Sequence, residues 1–206
     1  MKSFPSIIGR LAVSFCVVAC SHDDKPVAAP PDPDPAMAPA ARNSPSAPGV
    51  LGAESSEPLN DPQIVSVLRA VNVAEVDQAR MAVGKIQNDS VKKFAEMMIA
   101  QHGQGAKNID ALDDKLGYKQ TDSQLATELG VKATQTEQQL SKATEASIDK
   151  LYILGQVDAH RVVLDAIDTR LVPAARHEDV KSLLQTTRPV VAGHLEQAQQ
   201  ILATLK

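Results

Sequence analysis

Apolar residues recur at spacings of three and four along four segments of the chain, and each segment places a charged or imidazole residue on its stripe near the middle. The first stripe reads Ile64, Leu68, Val71, Glu75, Ala79, Ala82, Ile86. The second reads Val91, Ala95, Met98, His102, Gly105, Ile109, Leu112, Leu116. A third, from about Ser147, reads Asp149, Ile153, Gln156, His160, Val163, Ile167, Arg170, flanked by Tyr152, Leu164 and Leu171. The fourth, from about Glu178, reads Val180, Leu184, Thr187, Val191, His194, Ala198, Ile201, Leu205. A period near 3.5 sustained over so many positions predicts bundle helices packed at shallow angles.

Local signals set the ends of these helices. Asp61-Pro62 reads as an opening, with Asp61 as N-cap and Pro62 at the first helical position. Asn88-Asp89-Ser90 ends the first helix and caps the second, which Gly117 stops. Pro189 falls inside the fourth pattern and is expected to kink it, freeing a carbonyl near residue 185. Residues 118–146 are too long for a hairpin loop, and Leu125, Leu129, Thr136 and Leu140 make that stretch partly helical. Two antiparallel pairs joined by a long crossover define an all-α, ferritin-like four-helix bundle.

The polar interruptions then fall at matching heights. Glu75 lies 13 residues before Asn88 and His102 lies 14 after it; His160 and His194 each lie 17 from His177. Antiparallel hairpins therefore set the members of each pair side by side, on the core face. A buried Glu or His without a partner is expensive or is forced neutral, so a common site is expected. One carboxylate and three imidazoles suit a first-row transition metal such as Zn, Fe or Cu, with Mn less apt. Gln156 and Tyr152, one and two turns from His160 on its face, would then be the groups that orient the ligands. The same residues also fit a buried hydrogen-bonded network that fixes helix register, or side chains facing a groove. His177 falls in a turn, where capping or solvation is expected.

Upstream the pattern changes twice. Leu11 to Ala19 is a nine-residue apolar run behind Lys2 and Arg10, too short to span a bilayer and suited to a signal-peptide core. It ends Val17-Val18-Ala19-Cys20, which resembles the bacterial lipobox, so residues 1–19 are expected to be a lipoprotein signal peptide and Cys20 the lipidated first residue of the mature chain. Acyl chains at about 0.8 kcal/mol per buried methylene would hold the protein on a membrane. Cys16 leaves with the signal, so Cys20 has no partner for an intramolecular disulfide. Ser21 after it favours the periplasmic face of the outer membrane, by resemblance to sorted Gram-negative lipoproteins. Residues 20–60 hold nine of the 13 prolines and no apolar period; they read as a disordered Pro/Ala-rich tether. Within it, His22 beside Asp23-Asp24 reads as part of a solvated acidic stretch. The bundle takes residues 61–206.

Composition narrows the function. The chain is 43% hydrophobic but only 2% aromatic, so its core is aliphatic and offers no stacking platform for single-stranded nucleic acid. A net charge of −4 leaves no basic footprint for DNA or RNA. No phosphate loop, nucleophile elbow or H-E-x-x-H occurs, and no catalytic residue is assigned.

Several motifs together carry a family resemblance. They are Asn72-x-x-Glu75, Val91-Lys92-x-Phe94-Ala95-x-x-Met98-x-x-x-His102, Asp149-x-x-Tyr152-x-x-x-Gln156-x-x-x-His160 and Pro189-x-x-x-x-His194-Leu195. Over about residues 61–206 the chain resembles the bacterial exported family called domain of unknown function 4142. That resemblance implies a ferritin-like domain in an envelope protein. Ile148 stands where the family pattern has Phe, and Ile99-Ala100-Gln101 where it has Val-x-Asp. Ferritin-like di-iron sites use two Glu-x-x-His pairs and further carboxylates. Here the residues three before the histidines are Ile99, Val157 and Val191, so ferroxidase chemistry is not expected. The expected function is a non-enzymatic metal-binding or envelope-stress module with an envelope protein partner. The rival is a metal-dependent oxidoreductase using the same four residues.

Overall fold

The computed structural model describes residues 58–205. Cys20, the signal segment and the tether as far as residue 57 lie outside them. Within the described residues the regular structure is helical: α1 (Asp61–Val83), α2 (Asp89–Leu116), α3 (Gln124–Lys142), α4 (Ile148–Ala166), a π-helical segment (Ile167–Leu171), the short α5 (Val172–Ala174) and α6 (Glu178–Thr204).

Ends form where local chemistry stops or starts the backbone ladder. Asn60, not Asp61, is the N-cap of α1: its side chain accepts from the Gln63 amide, and the Gln63 side chain accepts from the Asn60 amide. Asp61 is instead the first helical residue, and its carboxylate accepts from the amides of Arg176 and His177 at 2.8 and 2.9 Å. Asp149 does the same at the other end of the bundle, taking the amides of Gln87 and Asn88. Each carboxylate thus ties the opening of one helix to the turn of the opposite hairpin. Asn88 caps α2 and Gly117, at φ 67, closes it in the left-handed conformation that favours glycine. His177 caps α6, its Nδ1 accepting from the Asp179 amide.

Helices α1 and α2 pair as one hairpin and α4 and α6 as another, with α3 lying across α1 and α4. This is the all-α, ferritin-like arrangement with a helical crossover. Packed against α2 and α3 on different sides, α1 buries Val65, Val67 and Val76 in addition to its stripe. The π segment corrects the third stripe. Its wider turn adds a residue, so Leu171 enters the core while Arg170 turns outward to Glu128. Pro173 comes two residues after the π segment; its missing N–H and bulky ring are incompatible with an undisturbed helix there. Pro189 lies inside α6, which runs on past it.

The core divides into two apolar clusters. One gathers Ile64, Leu68, Ile109, Ile167, Leu171 and Leu184; the other gathers Phe94, Met98, Leu140, Ile148, Tyr152 and Ile153. Between them lies a layer of buried polar side chains.

Candidate metal centre

Four helices build this layer. Glu75 comes from α1, His102 from α2, His160 from α4 and His194 from α6, and all four are at most 6% exposed. The three rings stand with centroids 5.2, 5.3 and 5.6 Å apart. One ring nitrogen from each lies within 4.8 Å of the others.

The remaining nitrogens are anchored by carbonyl oxygens. His102 Nδ1 donates to Asn72 Oδ1 at 3.0 Å, His160 Nδ1 to the Gln156 backbone carbonyl at 2.9 Å, and His194 Nε2 to Gln101 Oε1 at 2.7 Å. The orientation of the Asn72 amide follows from its other end, where Nδ2 donates to the Leu68 carbonyl at 2.7 Å. A carbonyl oxygen only accepts, so each anchored nitrogen carries the proton and the other presents a lone pair. Those other nitrogens, His102 Nε2, His160 Nε2 and His194 Nδ1, are buried without a hydrogen-bond partner. This is how protein metal sites fix the tautomer and aim of a ligating imidazole.

Gly105 makes room for one anchor. A Cβ there would stand 2.4 Å from Asn72 Oδ1, so only glycine lets the amide reach His102. Asn72, Gly105 and Gln101 were not singled out as site residues by the sequence. The usable signal was Gly105 on the buried stripe one turn beyond His102, facing an Asn one turn before Glu75.

Burial and mutual proximity keep the rings neutral. Burial pushes His102 down to about 3, and the neighbouring rings of His160 and His194 push the same way. Burial also lowers His160 to about 4, against the opposing hydrogen bond to the Gln156 backbone. His194 falls to about 4 through burial and then His160. All three are neutral at pH 7.

Glu75 stands apart from the nitrogen cluster. Its Oε1 is 4.0 Å from His160 Nδ1, the nitrogen anchored on Gln156, and it stands outside the three-histidine cluster. Burial pushes its carboxyl up to about 7, and a hydrogen bond from the Gln156 side chain pulls the other way. Gln156 also reaches Gln78 Oε1 at 3.5 Å. Tyr152 lies edge-on to Phe94 at 6.4 Å in the apolar half, its hydroxyl buried without a partner. Burial, and then the charge of Glu75, raise its phenol above the usual range.

Two openings flank the layer. A cleft of about 320 Å³ has His102 and His194 in its wall, and a smaller space of about 70 Å³ among α1, α3 and α4 reaches Glu75 and Gln78.

Fold and site together define a helical bundle with a buried three-histidine cluster. The model of the family described as Domain of unknown function (DUF4142) matches residues 47–201, and the chain belongs to that family. The chain is also similar to the crystal structure of a DUF305 fragment from Deinococcus radiodurans, with 13% identity and a TM-score of 0.60. That likeness covers 72% of this chain and 100% of the fragment, and shows the shared fold. No curated protein matches.

Proposed function

We propose that this protein is an exported, lipid-anchored metal-binding module that holds one first-row transition-metal ion, zinc, iron or copper, on His102, His160 and His194. The single observation that carries this reading is the pairing of anchored and free nitrogens: each ring has one nitrogen on a carbonyl oxygen and one free, and the three rings converge. A network whose role is only to fix register would satisfy its members with one another. Here three neighbouring rings each keep a buried, unpartnered nitrogen, an arrangement that a cation would satisfy. Nitrogen ligands of a tetrahedral ion, with bonds of about 2.0 Å, stand roughly 3.3 Å apart. From the present spacing of at most 4.8 Å, the nitrogens need close by no more than about 1.5 Å to bind. Glu75, beside His160, supplies a negative charge that offsets part of the ion's own.

The lipid anchor at Cys20 rests on the Val17-Val18-Ala19-Cys20 ending, and places the bundle on a membrane of the envelope, where a protein partner would meet it. Cys20→Ser should release the protein from membranes; a variant that stays bound would refute the anchor. Elemental analysis of protein purified from its native compartment tests the metal reading. One ion per chain in the wild type and none in His102→Ala is the expected result. Metal-free wild type, with His102→Ala merely less stable, would leave a structural polar network.

A further inference from the structure

Of the buried layer, His102 and His194 border the 320 Å³ cleft, whereas His160 and Glu75 do not. Both bordering residues are more than nine-tenths buried, and each carries an unpartnered nitrogen, His102 Nε2 and His194 Nδ1. An ion held by the three rings would be reached from solvent on this side, with its open position toward the cleft.

The wall is polar without being charged. Gln101, Gln104, Asn108, Thr186 and Thr187 contribute carboxamides and hydroxyls, and Leu68, Ile109, Leu183 and Val190 much of the rest. Among the described residues, no Asp, Glu, Lys or Arg side chain lines it. Three neutral imidazoles leave the full charge of a divalent ion in a site of low dielectric, and Glu75 offsets at most one unit of it. An uncompensated buried charge is costly, so the open position favours a donor that brings a negative charge. The volume is that of a small organic molecule and too little for a folded partner.

Resting on the metal-binding reading, we propose that this cleft binds a small monoanionic ligand, of the carboxylate class, whose anionic oxygen takes the open position on the ion. Its uncharged body lies against the carboxamides and hydroxyls of the wall. The metal meets the charge, and the wall selects for size and for the absence of a second charge.

The full chain loaded with cobalt(II) tests this, because ligand-field absorption reports the coordination of the ion directly. The probes are acetate and azide. We expect saturable changes in the cobalt bands with each anion. Val190→Trp, at the exposed mouth of the cleft, should weaken anion binding at least tenfold while leaving the anion-free cobalt spectrum unchanged. Gln104→Trp, another exposed wall position, is the second block should the first variant misfold. Cobalt bands indifferent to both anions, or anion affinities unchanged in a folded blocking variant, would overturn the cleft proposal alone. Absence of cobalt bands in the wild type would overturn the metal reading and this proposal with it.

Discussion

In the half of the bundle that holds Phe94, Met98, Leu140 and Ile153, the inward-facing side chains are apolar and close on one another, save for the hydroxyl of Tyr152. A turn or two farther along the same helices, the inward positions are Glu75, His102, Gln156, His160 and His194, and several of their atoms have no partner. The same scaffold thus spends its hydrophobic burial at both ends and concentrates desolvated polar groups in the waist. Burial of apolar surface stabilises at roughly 25 cal/mol per Å², whereas an unsatisfied buried polar group costs on the order of 1–3 kcal/mol. The two apolar halves hold the fold, and on the proposed metal-binding reading an ion would offset the cost of the waist.

Removing a large side chain from an apolar half should produce the largest loss. Phe94, fully buried, is predicted to cost about 3–5 kcal/mol on change to Ala, read by denaturant unfolding. Zinc stoichiometry of the folded variant should be unchanged. Loss of zinc binding with the fold intact would erase the division between the halves and the waist.

Acid should act mainly on the waist. His102, His160 and His194 sit near 3, 4 and 4 when folded, below the ordinary 6.5. Their contribution is full above pH 6.5 and is lost as pH falls toward the folded values. Glu75, near 7 when folded against 4.5 unfolded, acts oppositely: its contribution is full below pH 4.5 and is lost as pH rises through 7. Three groups against one leave a net uptake of about two protons on unfolding near pH 5.5. The metal-free protein should therefore melt progressively higher from pH 4.5 to 6.5, and His160→Ala should flatten that rise. A melting temperature that falls over this interval would contradict the neutral buried rings.

A smaller change sharpens the comparison inside the waist. Gly105→Ala would push the Asn72 amide off His102. Loss of such an orienting partner typically costs 10–100-fold in metal affinity, which a competition titration with a chromophoric chelator would measure. Gly103→Ala, on the same helix with nothing within 4 Å of its added Cβ, is the control. It should raise stability by about 1 kcal/mol or less through helix propensity and leave affinity alone. Equal effects of the two substitutions on affinity would remove Asn72 from the site.

Much of this architecture was legible because its determinants are local. Asn88 and Gly117 fix the turns by side-chain capping and left-handed backbone, and the stripes of α2 and α6 fall on the buried face as their period demands. Heptad-like spacing also gave the height of each polar interruption, hence the convergence of His102, His160 and His194. It could not give depth. Glu75 shares their level yet stands outside the three-histidine cluster, because stripe position fixes where a side chain leaves its helix and not how far it reaches. The anchoring Asn72 and Gln101 escaped for a related reason. Asn72 is off the α1 stripe and is buried only because the helices packed around α1 leave it little exposed surface; Gln101 is largely exposed and meets His194 from the flank. The π segment before Pro173 moved Leu171 into the place read for Arg170, a one-residue shift that periodicity alone does not reveal.

If His102, His160 and His194 share one ion, removing any of the three rings should abolish tight binding. Calorimetric titration of zinc into the metal-stripped full chain, beside the His160→Ala variant, tests it most directly. His160 is one of the three converging rings but lies outside the cleft wall, so its loss probes the metal and not the access route. One ion per wild-type chain and at least a hundredfold weaker binding by the variant are expected. No saturable heat in the wild type, or binding by the variant as tight as the wild type's, would contradict a shared ion.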